Sequence, residues 1–400
     1  MDQPLIQLEN VSIHFGQQAV LRGANLRIYK GEITTIIGKS GVGKTILLKL
    51  IIGLLEPDSG VIRYQGRSFT QLRKEEKREI KSKFSYMFQG TALFDSMTVL
   101  ENIALPLREK NHLSEAIIQE KVLGKMDQLE LTEMGEKYPS QLSGGMKKRV
   151  ALARALVTEP EIVLFDEPTT GLDPIRKNAV HSMISDYQQK FGFTGVVVSH
   201  EIPDIFYISQ RLAMLHEGRI IFEGDPEEIN QAEDPVLTQF IMGLESRHDS
   251  LTGLVTQHRG KSRFLEEMAR LQRYNTVFSI IVFNVRNLDD INEKAGHVTG
   301  QTVLKRFSNE LRSNLRITDI CFRYGVNKII AVLPNTNLEQ ARLTAAKLAN
   351  HAKKSNIFEL LSNTDLECLV NVGFAEAQRD IQLEHLLEIA ERKLDEVCLY

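Results

Sequence analysis

Residues 38–45 read GKSGVGKT and follow the short apolar run TTII, and this segment constrains the fold more than any other. It fits the pattern G-x-x-x-x-G-K-[ST], which binds phosphate where it links a strand to a helix. Glycines let the loop backbone approach phosphate, and the N–H groups of the loop and of the following helix face the negative charge. We therefore predict a nucleotide-phosphate site at Gly38, Lys39, Ser40, Gly41, Val42, Gly43, Lys44 and Thr45. In it, Lys44 contacts the β- and γ-phosphates and Thr45 offers a hydroxyl to Mg²⁺.

An acidic pair ends the apolar run of EIVLFDEP, residues 161–168. Because parallel strands deliver ligands at their carboxyl ends, we expect Asp166 to hold Mg²⁺ beside Thr45. Glu167 can then orient or deprotonate an attacking water. The run TGVVVSH, residues 194–200, is a further short buried strand. Such strands, separated by helical patterns, predict an α/β fold in which helices pack on a parallel sheet.

The composition is that of a globular chain of two or three domains, with 42% hydrophobic and 25% charged residues among 400. A net charge of −3 gives no reason to expect nucleic acid as a partner.

The cysteines, Cys321, Cys368 and Cys398, form no CxxC, which argues against a disulfide framework or a zinc finger and favours a reducing compartment. The start does not look like a signal peptide, and the apolar run at 46–55 is too short to cross a bilayer. We expect a soluble chain that can dock on a membrane protein.

The segment LSGGM, residues 142–146, opens another helical pattern with a hydroxyl and two glycines. A helix N-terminus of this kind is a second anion site. One ATP does not need two such sites from one subunit. The economical interpretation is that Ser143, Gly144 and Gly145 cap the γ-phosphate of an ATP held by another subunit.

The motifs occur in the order GKSGVGKT, Gln89, LSGGM, LFDEP, GLD (171–173) and His200. In this order they strongly resemble the ATP-binding cassette (ABC) ATPases, and the resemblance covers residues 4–245. It implies a P-loop nucleotide-binding domain, an active ATPase with ATP and Mg²⁺ as ligands, and a working dimer of two copies that closes on two ATP molecules.

The same resemblance implies roles for single residues. Phe15 would stack on the adenine ring, with an ordinary core phenylalanine as the alternative. Gln89 would sense Mg²⁺ and the water and pass the signal to the partner protein, and His200 would contact the γ-phosphate. The implied catalytic residues are therefore Glu167, His200 and Gln89, and the implied metal site is Thr45, Gln89 and Asp166. Asp173 would link the two ATP sites across the dimer.

The stretch GTALFDSMTVLENIALPLRE, residues 90–109, resembles the coupling region of the Mla-type ATPases, and residues 199–220 are similar to the same family. Those ATPases serve MCE-family phospholipid transport systems. The resemblance implies phospholipid transport through a separate permease, with an MCE-domain protein as partner, at the cytoplasmic face of the inner membrane. Polar amino-acid importer ATPases share much of the pattern, so a polar solute remains an alternative cargo. A soluble ATP-driven switch without a permease is a third hypothesis.

The polar, glycine-dotted stretch at 243–262 predicts a domain boundary. We place an ABC ATPase domain at 1–245 and a smaller α/β domain at 246–400. The second domain shows patterns for a helix at 264–271, a strand at 277–283, a helix at 302–311, a hairpin of 321–325 with 328–334, a helix capped by Asn337 from 338 to 352, a strand at 368–375 and a helix at 383–394.

The second domain resembles GGDEF domains, which have a nucleotide-cyclase-like fold, in HDSLTGL (248–254), NLDDINEKAGHVTGQ (287–301) and RYGVNKIIAVLP (323–334). It departs from them where their metal-binding and catalytic carboxylates stand. Those positions carry Asn284, Arg286, Asn327 and Lys328. Gln301 stands where GGDEF domains have the aspartate that reads guanine, whereas Asn292 matches their pattern. Because two-metal phosphoryl transfer needs carboxylates, we expect no diguanylate cyclase activity and a regulatory or assembly role.

One element of the GGDEF pattern survives. Arg316 and Asp319 match an RxxD site at which such domains bind cyclic di-GMP. Arginine can form a fork with phosphate or guanine, and a carboxylate can accept from guanine N–H groups. The alternative is that Arg316 and Asp319 close a loop by a local ion pair or contribute to a dimer contact.

Overall fold

The chain forms two compact units, Met1–Phe240 and Ile241–Tyr400. The computed structural model describes residues 3–109, 113–200, 204–230, 236–238, 248–354, 361, 366–392 and 395–398. The predicted boundary at 245 and 246 lies outside the described residues. Within them, no helix combines the length and apolar character that crossing a bilayer requires.

A six-stranded sheet forms the centre of the first unit. Its strands are β3 (Ile33–Ile37), β6 (Phe84–Met87), β7 (Ile162–Asp166), β8 (Thr194–Ser199), β9 (Arg211–His216) and β10 (Arg219–Gly224), in the spatial order β10-β9-β3-β8-β7-β6. All neighbours are parallel except the antiparallel pair β9 and β10. Every residue of β3, β7 and β8 is buried, as expected for parallel strands that are covered on both faces. The predicted α/β fold is confirmed.

A four-stranded antiparallel sheet is the second sheet that the structure describes in the first unit. It contains β1 (Ile6–Phe15), β2 (Gln18–Ile28), β4 (Ser59–Tyr64) and β5 (Arg67–Ser68), in the order β2-β1-β4-β5. Its apolar face shares one buried cluster with Leu47 and Leu48 of the helix after the phosphate loop and with Leu164 of the central sheet. That helix therefore packs in the core formed with both sheets.

The α-helices of the first unit connect these strands. Those with described bounds are α1 (Lys44–Ile51), α2 (Lys74–Ser82), α3 (Val99–Glu109), α4 (Glu115–Gln128), α5 (Gly144–Leu156) and α6 (Pro174–Phe191). Short 3-10 segments lie at Phe69–Gln71, Thr132–Met134, Pro139–Gln141, Asp204–Ile208 and Glu228–Asn230. Helices α1, α5 and α6 each begin beside a predicted nucleotide-contacting residue, so their N-termini position the site.

The second unit has one antiparallel sheet, in the order β12-β13-β11-β14-β15. The strands are β11 (Phe278–Val285), β12 (Ile320–Arg323), β13 (Lys328–Pro334), β14 (Leu369–Glu376) and β15 (Asp395–Cys398), and the helices are α7 (Gln257–Tyr274), α8 (Leu288–Ala295), α9 (His297–Asn314), α10 (Leu338–Lys354) and α11 (Leu383–Glu391). Helices α7 and α11 bury one face of the sheet, and Phe307 of α9 packs edge-on against Phe283 of β11.

The predicted elements of the second unit are confirmed. They include the hairpin of β12 and β13 and the cap of α10, where the N–H of Gln340 donates to the Asn337 side chain at 2.9 Å. The last residues of the helix predicted at 383–394 lie outside the described residues. Cys321 and Cys368 are both buried.

Candidate active site

The phosphate loop runs from the end of β3 to the start of α1, as its sequence predicts. Gly38 and Gly43 have φ of 159° and 108°, values that side chains disfavour. A Cβ at Gly38 would lie 2.5 Å from the carbonyl oxygen of Leu215, so only glycine fits this close approach. Gly43 is the N-cap of α1 and offers no side-chain cap, which leaves the first N–H groups of the helix for a ligand. The loop therefore has the geometry of an anion cradle.

The Lys44 side chain lies across this loop. It is buried, and its Nζ donates to the carbonyl oxygens of Gly38 at 2.8 Å and Lys39 at 2.9 Å. Nζ also lies 3.9 Å from Glu167 Oε1. Burial lowers the pKa of Lys44, while the charges of Glu167 and Asp166 oppose that shift. The ammonium is thus held at the loop, where phosphate oxygens can replace the carbonyl oxygens as its acceptors.

Two of the three predicted metal ligands, Thr45 and Asp166, are in contact, whereas the third, Gln89, donates to Glu167. The Thr45 hydroxyl donates to Asp166 Oδ1 at 3.0 Å, and the Tyr86 hydroxyl donates to Asp166 Oδ2 at 2.9 Å. A hydroxyl and a carboxylate are hard oxygen ligands of the kind that Mg²⁺ takes together with water and substrate phosphates. This donor set therefore fits Mg²⁺. Burial raises the pKa of Tyr86 above its ordinary value, so the phenol remains a proton donor.

The carboxylate of Glu167 brings together the predicted catalytic residues. Oε1 lies 3.2 Å from His200 Nδ1, and Oε2 accepts from Gln89 Nε2 at 3.1 Å and from the Thr170 hydroxyl at 3.1 Å. Glu167 has a left-handed backbone, with φ of 47°. Strained backbone of this kind concentrates at functional sites. The sequence analysis identified Gln89 and His200 but not Thr170 or Tyr86, whose contacts depend on tertiary approach.

The other predicted ATP-contacting residues stand at separate places in the first unit. Phe15 ends β1 and is half exposed. Ser143 caps α5 by accepting from the N–H of Met146 at 3.3 Å, and Asp173 caps α6 by accepting from the N–H of Arg176 at 3.1 Å. Gly144 and Gly145 form the first turn of α5, and a Cβ at Gly145 would meet only open space. Their roles toward ATP and a second subunit remain predictions.

In the second unit, two of the positions where GGDEF domains carry metal-binding or catalytic carboxylates, Asn284 and Lys328, are neighbours on adjacent strands. Asn284 pairs in register with Lys328 on one side and Asn371 on the other. The described residues offer no hydrogen-bond partner to the buried amide oxygens of Asn284 and Asn371. Lys328 Nζ contacts Glu391 Oε1 at 2.5 Å. Across the described chain, no group of three or more His, Cys, Asp or Glu is arranged to hold a metal ion.

The hairpin loop between β12 and β13 is held by a buried arginine. Arg323 donates to the carbonyl oxygens of Gly325 at 3.0 Å and Val326 at 3.3 Å, and its guanidinium lies 3.6 Å from Asp249. Asp249 also accepts from the N–H of Thr252 at 2.7 Å. This network connects Asp249, near the start of the domain, to the hairpin loop, which contains Asn327, one of the positions that depart from the GGDEF pattern.

At the RxxD element, Asp319 Oδ2 accepts from the backbone N–H of Arg316 at 3.0 Å. Burial raises the pKa of Asp319. Ile317, between them, is fully exposed. The carboxylate therefore closes the turn through the backbone of Arg316, rather than through the guanidinium that the sequence suggested as its partner. Gln301 is fully buried in α9.

Comparison with known proteins agrees with this geometry. Residues 21–170 match the family model described as ABC transporter. The chain is 37% identical to the intermembrane phospholipid transport system ATP-binding protein MlaF of Haemophilus influenzae over 243 residues. This match covers 61% of the chain and 92% of MlaF. The chain belongs to the ABC transporter ATP-binding proteins. Its first unit is an ABC ATPase.

Two further matches extend the comparison. The ABC ATPase is 34% identical to the probable ribonucleotide transport ATP-binding protein mkl of Mycobacterium leprae, over 67% of this chain and 76% of mkl. It also matches the structure of cbiO1 from Clostridium perfringens, a part of the ABC transporter complex cbiONQ, with a TM-score of 0.53 and 28% identity over 61% of this chain and 96% of cbiO1. Residues 246–398 match the model described as diguanylate cyclase, GGDEF domain, so this ABC protein also carries a GGDEF domain.

Proposed function

We propose that the chain is the ATP-hydrolysing subunit of a phospholipid transporter and acts with a separate permease at the cytoplasmic face of the inner membrane. The observation that carries this proposal is the 37% identity to a phospholipid transport ATPase over 92% of that protein's length. The residues that match the ABC transporter model, 21–170, include the phosphate loop, the acidic pair and the segment after Gln89. That segment is the one that resembles the coupling region of Mla-type ATPases. An MCE-domain lipid-binding protein is then the expected further partner.

In the proposed reaction, the phosphate loop and Lys44 bind the phosphates of ATP. Thr45 and Asp166 would hold Mg²⁺, with Gln89 near it, and the ion would neutralise charge that develops on the phosphate oxygens. Glu167 orients the attacking water and takes its proton, because its carboxylate lies at the meeting point of His200 and Gln89. His200 contacts the γ-phosphate, and Phe15 stacks on the adenine.

A second copy of the chain completes each ATP site in this proposal. Ser143 and the glycines after it begin α5, whose N-terminus can face an anion. Asp173 begins α6 in the same manner and would connect the two sites. ATP binding then closes the dimer, and hydrolysis reopens it.

An apolar groove in the first unit fits a coupling segment of the permease. Its volume is about 420 Å³. It is lined by Phe84, Ser85, Tyr86, Phe88, Ala92, Phe94, Leu105, Pro106, Glu109, Arg154, Ala155 and Thr158. Phe88 and Phe94 are each about half exposed there. Because the groove borders the segment that begins at Gln89, its occupant can influence the catalytic carboxylate that Gln89 contacts. We name this surface the coupling groove.

The experiment that tests the transport proposal is affinity purification of the intact chain from detergent-solubilised native membranes, with mass spectrometry of bound proteins and lipids. A multi-span permease together with an MCE-domain protein and phospholipid supports it. Recovery of a permease with a solute-binding protein would instead identify a polar-solute importer. Recovery without any membrane partner would leave an ATP-driven switch.

A matched pair of variants tests the coupling groove in the same experiment. Phe94→Asp places a charge in the groove, whereas Leu54→Asp places the same charge on an apolar position elsewhere in the first unit that is at least as exposed. We expect the permease to be lost with Phe94→Asp and retained with Leu54→Asp. Equal recovery with both variants would move the permease contact away from this groove.

A polar cargo is the second candidate function. The observation that favours it is the 34% identity to mkl, a probable ribonucleotide transport ATP-binding protein. The fold of an ATPase does not fix its cargo, because the cargo is bound by other subunits. The lipids and solute-binding proteins that copurify separate the two cargoes.

For the GGDEF domain we propose a regulatory or assembly role without cyclase activity. Its metal-ligand positions carry amides and an ammonium group, which do not replace carboxylates as Mg²⁺ ligands. Cyclic di-GMP binding at Arg316 and Asp319 is the candidate signal, favoured by the exposure of the turn at Ile317. Calorimetry of the full chain with cyclic di-GMP, for wild type and Arg316→Ala, tests it. Equal heats of binding in both would exclude this turn as the site and leave a structural or dimer-contact role.

A further inference from the structure

Tyr86 belongs to β6, and no motif of the sequence analysis includes it. Its hydroxyl donates to Asp166 Oδ2 at 2.9 Å, while the Thr45 hydroxyl donates to Oδ1 at 3.0 Å. The two donors therefore engage both oxygens of one buried carboxylate. A carboxylate held at both oxygens has lost its torsional freedom, so the orientation in which it faces Mg²⁺ is set before the ion arrives.

The ring of the same residue faces a different neighbour. It packs against Phe88 with ring centroids 4.5 Å apart, and both rings line the coupling groove. One side chain thus reaches from the groove wall to the metal-binding carboxylate. A displacement of the ring by an occupant of the groove moves the hydroxyl with it, because the phenol is rigid beyond χ2.

We propose that Tyr86 is a positioning residue for Asp166, which fixes the carboxylate for Mg²⁺ and makes Mg²⁺ binding sensitive to the occupant of the coupling groove. This inference rests on the proposed ATP hydrolysis but not on the cargo. Tyr86 does not touch the reacting atoms; it acts through Asp166.

Removing the Tyr86 hydroxyl should weaken Mg²⁺ binding, because groups that hydrogen-bond to metal ligands hold those ligands in position. Substitution of such groups commonly reduces metal affinity or activity by about 10- to 100-fold. Tyr86→Phe keeps the ring in the groove and removes only the donor to Oδ2. Tyr86→Met removes the donor and keeps an apolar side chain, so it provides a second variant should the first not fold.

The chain contains a matched control. Tyr64 is buried in the same unit, and its hydroxyl donates to a carboxylate, Glu161, at 2.9 Å. Tyr64→Phe therefore removes the same kind of hydrogen bond outside the phosphate site. Any effect of a lost tyrosine–carboxylate bond on folding alone should be shared by the two variants.

The experiment measures ATP binding to the full chain by calorimetry as a function of Mg²⁺ concentration, in a Glu167→Gln background that prevents turnover. We expect the Mg²⁺ concentration for half-maximal tight binding to rise at least about tenfold in Tyr86→Phe and to stay unchanged in Tyr64→Phe. ATP binding in excess EDTA should be the same in all three proteins. Coincident Mg²⁺ curves for Tyr86→Phe and Tyr64→Phe would overturn the role at Asp166.

A second substitution tests the link to the groove. Phe88→Leu keeps the Tyr86 hydroxyl group but weakens the packing that holds its ring, and with it the hydroxyl, in position. We expect the Mg²⁺ curve to shift in the same direction as in Tyr86→Phe, by a smaller factor. A curve identical to that of the parent protein would remove the groove from the proposal. Because these measurements use purified chain and no lipid, a failed phospholipid assignment would appear only in the copurification experiment.

Discussion

The Thr45 hydroxyl donates a 3.0 Å hydrogen bond to Asp166, which lies 121 positions further along the chain. The contact forms because β3 and β7 run in the same direction, with β8 between them, and both end at one edge of the sheet. The phosphate loop and the acidic pair meet at that edge, which is where open α/β sheets bind their ligands. Glu167, the next residue, is therefore placed beside any nucleotide that the loop holds.

Glu167→Gln should abolish ATP hydrolysis and leave ATP binding intact. The amide keeps the size of the side chain but cannot take a proton from water, and loss of a general base commonly lowers the rate by about 10²- to 10⁴-fold. Steady-state hydrolysis and nucleotide binding by the full chain measure the two effects separately.

Glu161→Gln is the matched control for that prediction. Glu161 precedes β7, accepts from Tyr64 at 2.9 Å, and lies at the opposite end of the strand from the acidic pair. We expect its turnover to remain close to that of wild type. Undiminished hydrolysis in Glu167→Gln would overturn the assignment of Glu167 as the base.

The sequence alone predicts three strands of the central sheet and the phosphate loop between β3 and α1, because both depend on local signals. The apolar runs of β3, β7 and β8 stand out since these strands are buried on both faces. The antiparallel sheet of the first unit, with strands β1, β2, β4 and β5, is not among the sequence predictions. Its signal is weaker but present in β1, where IQLENVSIHF alternates apolar and polar residues along a half-buried strand.

Contacts made by tertiary approach could not be predicted from the sequence. The donors Tyr86 and Thr170 carry no motif, and their partners are known only once β6 and the turn after β7 are in place. The same holds for Asp319, whose spacing to Arg316 suggested an ion pair and whose carboxylate instead accepts from the backbone N–H of that residue.

Arg154→Lys should loosen the segment that follows Gln89. Arg154, on α5, donates to the carbonyl oxygens of Thr91 at 2.6 Å and Ala92 at 2.7 Å. Thr91 and Ala92 have φ of 72° and 46°, conformations that cost roughly 1–2 kcal/mol each without such support. A lysine cannot reproduce the planar fork. We expect faster amide hydrogen exchange in peptides covering 88–94 and a lower kcat for ATP hydrolysis, with KM for ATP little changed.

Arg149→Lys is the control for Arg154, because Arg149 lies on the same helix and pairs with Glu130. It should leave hydrogen exchange in 88–94 as in wild type. If both variants exchange equally in that segment, Arg154 does not hold it.

The full chain should make no cyclic di-GMP from GTP and Mg²⁺. Asn284 and Lys328 pair directly across two strands at positions where the GGDEF pattern has carboxylates, and neither an amide nor an ammonium group replaces a carboxylate as a Mg²⁺ ligand. Chromatography of nucleotides after long incubation tests this prediction. Any cyclic di-GMP that accumulates with enzyme concentration and disappears with EDTA would contradict it.

Arg323→Met should destabilise the GGDEF domain strongly. Arg323 and Asp249 are both almost fully buried, and their charged groups lie 3.6 Å apart. Removing one partner leaves the other charge buried without compensation, which commonly costs about 3–5 kcal/mol.

Glu384→Gln, which breaks the partly exposed pair with Lys261, is the control and should cost less than about 1 kcal/mol. Hydrogen exchange in peptides of β12 and β13 reports the free energy of unfolding of this domain in the full chain. Equal protection in Arg323→Met and Glu384→Gln would show that the buried pair does not stabilise the hairpin.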